Sequence, residues 1–254
     1  MLKNTIAGLV VITAAAWIGG CAQEPTDEEY DDVAVAVGAL VSNQSGGEVG
    51  SMSDCVNLAQ GQTPVDLTSE GSGAVEGLRA GLEYEYTMSC LDAAGSMLEV
   101  CDETTDSAQF TLSWSGNLDL SAVGTIGYTY SIARTGDWTL TGLQSGQAEL
   151  NGQGTFDVGS HYAVLFGVVS KDFTLDYDAT YNAVIIDELG VIRGGQIVYD
   201  VRVHAQSGSW VSKSETDLDI QAVVTFDADG QVTLEMDGHR SYDLDLVTGS
   251  VTLQ

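Results

Sequence analysis

From Glu83 to the C-terminus the chain alternates apolar and polar residues with a period of two. FTLSW at 110–114, YTYSI at 128–132, FTLDYDATY at 173–181, IVYDVRVHA at 197–205, LDIQAVVTF at 218–226, VTLEM at 232–236 and YDLDL at 242–246 all follow it. Successive side chains of a strand point to opposite faces, so each segment reads as a strand with one apolar and one polar face. Turn signals separate them: Asp92-Ala93-Ala94-Gly95, Thr135-Gly136-Asp137, Asp187-Glu188-Leu189-Gly190, Asp227-Ala228-Asp229-Gly230 and Asp237-Gly238, the last a strong two-residue hairpin signal. Short connections force neighbouring strands to be antiparallel. The expected fold class is therefore mainly β, an antiparallel meander of roughly ten or more strands. Its apolar face must be closed on itself or covered, which points to a barrel-like or sandwich domain. The long alternation at 173–185 calls for strongly curved strands.

The same alternation describes an outer-membrane β-barrel whose apolar residues face lipid. The C-terminal Thr252-Leu253-Gln254 lacks a terminal aromatic, and an aromatic content of 7 % is thin for two interfacial girdles.

Ahead of the meander, residues 26–81 read as an N-terminal helical and loop segment. Thr26-Asp27-Glu28-Glu29 has the T-x-x-E form of a capping box, with acids placed to favour a helix start. Val33, Val37, Leu40 and Val41 then fall on one helical face, although VAVAV at 33–37 also fits a strand. Ser45-Gly46-Gly47 closes this element. Val49, Met52 and Val56 suggest a second short helix stopped near Gly61, and the glycines and proline of 61–81 suggest a loop. Residues 82–254 form the expected β domain.

The first residues read as an export signal. Lys3 supplies one positive charge, and Ile6 to Ile18 is an apolar run of thirteen residues, short of the roughly 20 that a spanning helix needs. Ile18-Gly19-Gly20-Cys21 follows. This stretch resembles the lipobox of bacterial lipoproteins, departing from its commonest form, which has Leu three before the cysteine and Ala or Ser next. The resemblance is confined to residues 1–21. It implies a signal peptide at 1–20, lipidation of Cys21, a tether at 21–25, and a protein held in the bacterial cell envelope by its acyl chains. Ala22 after the cysteine is compatible with outer-membrane sorting under the rule familiar from enteric bacteria. Cleavage after Ala22, which would discard the cysteine, is the competing reading.

The formal net charge is −29, and removing residues 1–20 takes away Lys3 and no acid, leaving −30. Such a surface repels nucleic acid and anionic lipid, so neither is an expected partner. Three lysines against twenty-three aspartates suggest a protein adapted to salt. Beyond Cys21 there remain Cys55, Cys90 and Cys101. An exported compartment permits disulfides, and the turn-like Asp92-Ala93-Ala94-Gly95 between Cys90 and Cys101 favours that pair.

Catalytic signatures such as G-x-S-x-G, H-E-x-x-H and the P-loop do not occur in the sequence. His161, His204 and His239 lie in different strands or at their ends, with no metal-ligand spacing. Lys171-Asp172 and Arg202-Val203-His204 read as polar pairs at a strand edge. Asp227-Ala228-Asp229-Gly230 resembles a calcium loop, but EF-hand alignment puts Thr225 at the first ligand position and Met236 at the twelfth, where a bidentate acid belongs. Asp176 and Asp178, Asp217 and Asp219, and Asp243 and Asp245 each share a strand face, which raises weak divalent-cation binding as an expectation. Trp114, Tyr128, Tyr130, Trp138, Phe173 and Tyr177 are in phase with the core, and Trp210 beside Gly208 is a candidate loop aromatic. No catalytic residue, metal site or cofactor is assigned.

The reading that follows is a membrane-anchored acidic envelope lipoprotein with a non-catalytic interaction or structural role, partnered by the membrane through its lipid and by an envelope protein. Two alternatives stay open: a carrier or sensor of a hydrophobic small molecule inside a β-barrel, and a hydrolase whose site has no recognised motif. A continuous apolar cavity would favour the first of these, and a concave cluster of carboxylates with histidine the second.

Overall fold

The computed structural model describes residues 25–43, 47–69, 73–79, 81–119, 126–164, 169–209 and 212–254. Cys21 and the residues before it, and Trp210, lie outside the described residues. Two helices, α1 (Asp27–Val41) and α2 (Glu48–Ala59), precede a meander of twelve strands in sequential order. They are β1 (Leu67–Ser69), β2 (Ala74–Arg79), β3 (Leu82–Asp92), β4 (Thr105–Asp119), β5 (Ile126–Thr141) and β6 (Gln147–Val164), then β7 (Val169–Asp187), β8 (Ile192–Ser209), β9 (Ser212–Phe226), β10 (Val232–Met236), β11 (Arg240–Leu244) and β12 (Val251–Leu253). Every neighbouring pair is antiparallel, and the sheet is not closed: β1 and β12 remain its two ends.

The capping box fixes where α1 begins. The Glu29 backbone N–H donates to the Thr26 hydroxyl and the Thr26 N–H to the Glu29 carboxylate. Val33, Val37 and Val41 are buried, so the 3.6-residue period wins over the VAVAV alternation. Gly38 lets α1 approach the β11–β12 connection, since a Cβ there would lie 2.6 Å from the Gly249 carbonyl oxygen. α2 buries Val49, Met52, Cys55, Val56 and Leu58. No helix among the described residues is long and apolar enough to cross a membrane.

Side chains from strands far apart in the sheet reach α2, which requires the sheet to curl. Tyr86 on β3 bonds Asp54, and Tyr199 on β8 bonds Glu48. Five strand spacings in a flat sheet amount to about 24 Å. Positions six residues apart on a helix are separated by only about 9 Å. Curvature and the length of the tyrosine side chains absorb the difference. The helices thus occupy the inner face, while the outer face carries Asp176, Asp178, Asp219 and Arg202. An open sheet with charges on that face is the inverse of a lipid-spanning barrel.

Two segments differ from the sequence expectation. The stretch 61–81 contains β1 and β2, so the sheet begins at Leu67 rather than near Glu83. Thr135-Gly136-Asp137 is no turn but the middle of β5, and a Cβ on Gly136 would stand 3.1 Å from the Trp138 indole nitrogen. The glycine makes room for the indole rather than bending the chain.

Candidate functional site

Among the described residues, three places bear on what the molecule could do. The first is internal. Trp114, Arg134, Phe156, Tyr177, Val201 and Ile220 form one buried row across β4–β9. Beneath it, the first turn of α2 inserts Glu48, whose side chain is 1 % exposed. The Tyr177 and Tyr181 hydroxyls donate to Glu48 Oε1 at 2.6 and 2.9 Å, and the Tyr199 hydroxyl donates to Oε2. Arg134 Nη2 lies 3.4 Å from Oε1 and also donates to the Tyr181 hydroxyl at 3.3 Å. Its other terminal nitrogen donates to Ser51 at 3.4 Å, and the guanidinium packs 5.3 Å from the Trp138 ring centre.

Burial alone would lower the Arg134 pKa, but Glu48 and the tyrosines more than reverse it. Burial, reinforced by Glu48, pushes the Tyr177, Tyr181 and Tyr199 hydroxyls well above the ordinary tyrosine range, so they remain donors. Burial likewise pushes the Cys55 thiol up, with Asp54 adding to it, which keeps the thiol protonated and unreactive. The assembly seats α2 on the sheet.

The second place is the outer face. Asp157, Asp176, Arg202 and Asp219 stand opposite one another across β6–β9. Arg202 bonds Asp176 and also Asp178, the latter at 3.1 Å. His161 Nδ1 lies 2.6 Å from Asp172, and His204 Nδ1 lies 2.7 Å from Asp217 and 4.0 Å from Glu215. The hydrogen bond to Asp217 raises the His204 pKa despite slight desolvation, and Glu215 and Asp172 add to it. Ligand atoms of His204, Glu215 and Asp217 all lie within 4.8 Å of one another, an exposed group that sequence spacing alone did not bring together. The strand register reveals it, because His204 and Asp217 are cross-strand partners.

The remaining sequence candidates are placed as follows. Lys171 and Asp172 project to opposite faces, and Asp172 pairs with His161 instead. Arg202 and His204 share the outer face of β8, a strand interior to the sheet rather than an edge. His239 sits in the β10–β11 turn, its N–H bonded to the Met236 carbonyl. Asp227–Gly230 is a tight turn closed by the Gly230 N–H on the Asp227 carbonyl at 2.9 Å. Asp243 is on β11, whereas Asp245 lies past its end and accepts the Val247 and Thr248 backbone N–H groups. Trp114, Trp138 and Tyr177 are buried, but Tyr128, Tyr130 and Phe173 are only half-buried, because β5–β9 run on beyond the helices.

The third place is a surface depression of about 600 Å³ between the start of β2 and the β3–β4 connection, lined by Leu58, Val75, Met88, Met97, Leu98 and Val100 among others. A disulfide joins Cys90 to Cys101 along its wall, and Cys55 is free and buried. No family model, curated protein or solved structure matches the chain.

Proposed function

We propose that this chain is a membrane-anchored acidic envelope lipoprotein with a non-catalytic interaction role. The observation that carries the reading is the division of the sheet. The part of its inner face beneath α1 and α2 is filled by these helices, locked by Glu48 and Arg134, while the titratable side chains of the outer face stand in water. Acid–base and nucleophilic chemistry draw on groups whose pKa values are shifted in a sheltered cleft, and a solvated convex face suits recognition instead. The Ile18-Gly19-Gly20-Cys21 sequence supports the anchor. Cys21 stands six residues before the start of α1, at most about 20 Å of extended chain, which would hold the domain against the membrane surface.

The anchor is tested by growing cells with labelled palmitate. The wild type should carry the label and partition into detergent, and Cys21→Ser should lose both properties. Label that survives the substitution overturns the anchor. Crosslinking in the native envelope, followed by identification of reproducible partners, tests the interaction role. A second reading, carriage of a hydrophobic small molecule, draws its support from the methionine-lined depression beside the disulfide. Saturable displacement of a fluorescent fatty acid from the wild type, lost in Met88→Glu, would favour it.

A further inference from the structure

β9 is paired along its whole length with β8, from Ser212 to Phe226, but β10 covers only residues 222–226 on the other side. The ladder stops at a defined point. The Asp237 N–H donates to the Gln221 carbonyl and the Gln221 N–H donates to the Asp237 carboxylate, both at 2.8 Å. The chain then turns at Asp237-Gly238 into β11. Beyond that cap, residues 212–220 have no partner strand on this side among the described residues, a free edge of nine residues spanning about 30 Å.

Because Gln221 directs its N–H and C=O toward β10, the period of two directs those of Lys213, Glu215, Asp217 and Asp219 to the same open side. These four also project their side chains onto the outer face, where all are exposed. Between them Leu218 and Ile220 point inward and are buried. The free edge therefore offers a row of unmade backbone hydrogen bonds flanked by three successive carboxylates. By comparison, the terminal strands β1 and β12 each have three residues, the short form that limits edge pairing.

We propose that the β9 edge is a docking site for an extended basic segment of another protein, one with lysine or arginine at alternate positions and apolar residues between, which adds to the sheet as an antiparallel strand. Strand addition supplies affinity through main-chain hydrogen bonds and specificity through alternate side chains. Basic residues of such a partner fall opposite Glu215, Asp217 and Asp219, and its apolar residues extend the row that includes Leu218 and Ile220. A second copy of this chain is rejected by the same carboxylates, since antiparallel pairing of β9 with itself sets acid against acid. The proposal goes beyond the role given above and stands whether or not Cys21 is lipidated.

Hydrogen exchange on the full chain in non-ionic detergent tests it, with an alternating lysine–valine peptide matched to the edge in length. The expected result is new protection confined to residues 212–220. Methylating the peptide's lysine backbone nitrogens keeps its charge but removes the donors, and should weaken binding roughly tenfold or more. The triple variant Glu215→Lys/Asp217→Lys/Asp219→Lys should lose the lysine peptide and gain the corresponding glutamate–valine peptide, which also establishes that the variant folds. Glu76→Lys/Glu83→Lys/Glu85→Lys, an equal charge change on exposed positions of β2 and β3, should bind as the wild type does. The proposal is overturned if the lysine peptide fails to protect the edge or if the methylated peptide binds equally. Equal loss in the control triple variant, or a peptide-free dimer protected at 212–220, overturns it as well.

Discussion

Glu48 and Asp176 are carboxylates on the two sides of one sheet, and each faces an arginine. Glu48 is 1 % exposed and takes three tyrosine hydroxyls and Arg134. Asp176 is 33 % exposed and shares Arg202 with Asp178, which is 57 % exposed. The contrast teaches that what surrounds a charge decides its worth. A buried carboxylate must have its charge matched and its lone pairs occupied, so it dictates where the surrounding elements sit. A solvated one is stabilised by water, and its arginine trims repulsion along an acidic row.

The largest effect is expected from breaking the buried pair. Arg134→Met leaves Glu48 in the core without its cation and should lower unfolding free energy by about 3–5 kcal/mol. Adding Glu48→Leu should restore a substantial part of that loss, measured by urea denaturation. If the double variant is as unstable as the single, the pair holds the fold through more than mutual compensation.

A covalent tie gives the next step on the scale. Cys90 and Cys101 are eleven residues apart, and replacing both with serine should cost about 3 kcal/mol in the chain-entropy model. Reduction of the wild type should match the variant in the same denaturation assay.

The outer face should respond less, and differently. Arg202→Met leaves Asp157, Asp176 and Asp219 in one row without a cation between them. The loss should be well below that of the buried pair in dilute buffer and should vanish near 1 M salt, where the Debye length is about 3 Å. Thermal melts across a sodium chloride series decide it. The Arg134→Met loss should persist across the same series, and a parallel decline in both would erase the comparison.

The smallest effect concerns His204. Its pKa is raised in the fold by Asp217, so the charged form stabilises the native state. That contribution is complete below the unfolded value of about 6.5 and disappears as pH rises through the higher folded value. Asp217→Asn should flatten the stability profile in this window, read from unfolding midpoints at closely spaced pH.

Much of the fold is written in local pattern. The Thr26–Glu29 cap marks where α1 begins, and FTLDYDATY reports the two faces of β7 directly. β6 is obscured because Gly152, Gly154 and Gly159 interrupt its alternation, and a register shift between Leu150 and Gly152 breaks the phase. The inner polar assembly is harder to read. Glu48 passes for an ordinary acid in the first turn of a helix. Its partners come from β5, β7 and β8, brought beneath α2 only by the curl of the sheet. One local signal was present: Arg134 occupies an inward phase between Ile132 and Gly136, where an arginine requires a buried anion. The metal-like grouping of His204 with Asp217, and the free edge beside it, depend on strand register and on where β10 stops, which composition does not encode.

The sequential order of the strands sets a timetable for biogenesis. Each strand pairs with its immediate predecessor, so the sheet can grow in the order in which the chain is made. The helices are made before the strands but α1 cannot be seated early. The Tyr30 hydroxyl bonds Asp237, Arg240 pairs with Asp27 and Asp31, and α1 packs against the last three strands. α1 therefore waits, with its apolar stripe exposed, until β10, β11 and β12 arrive. A chain arranged this way stays open on the inner side of its sheet until β10 to β12 are made, which makes holding by a chaperone valuable along the way.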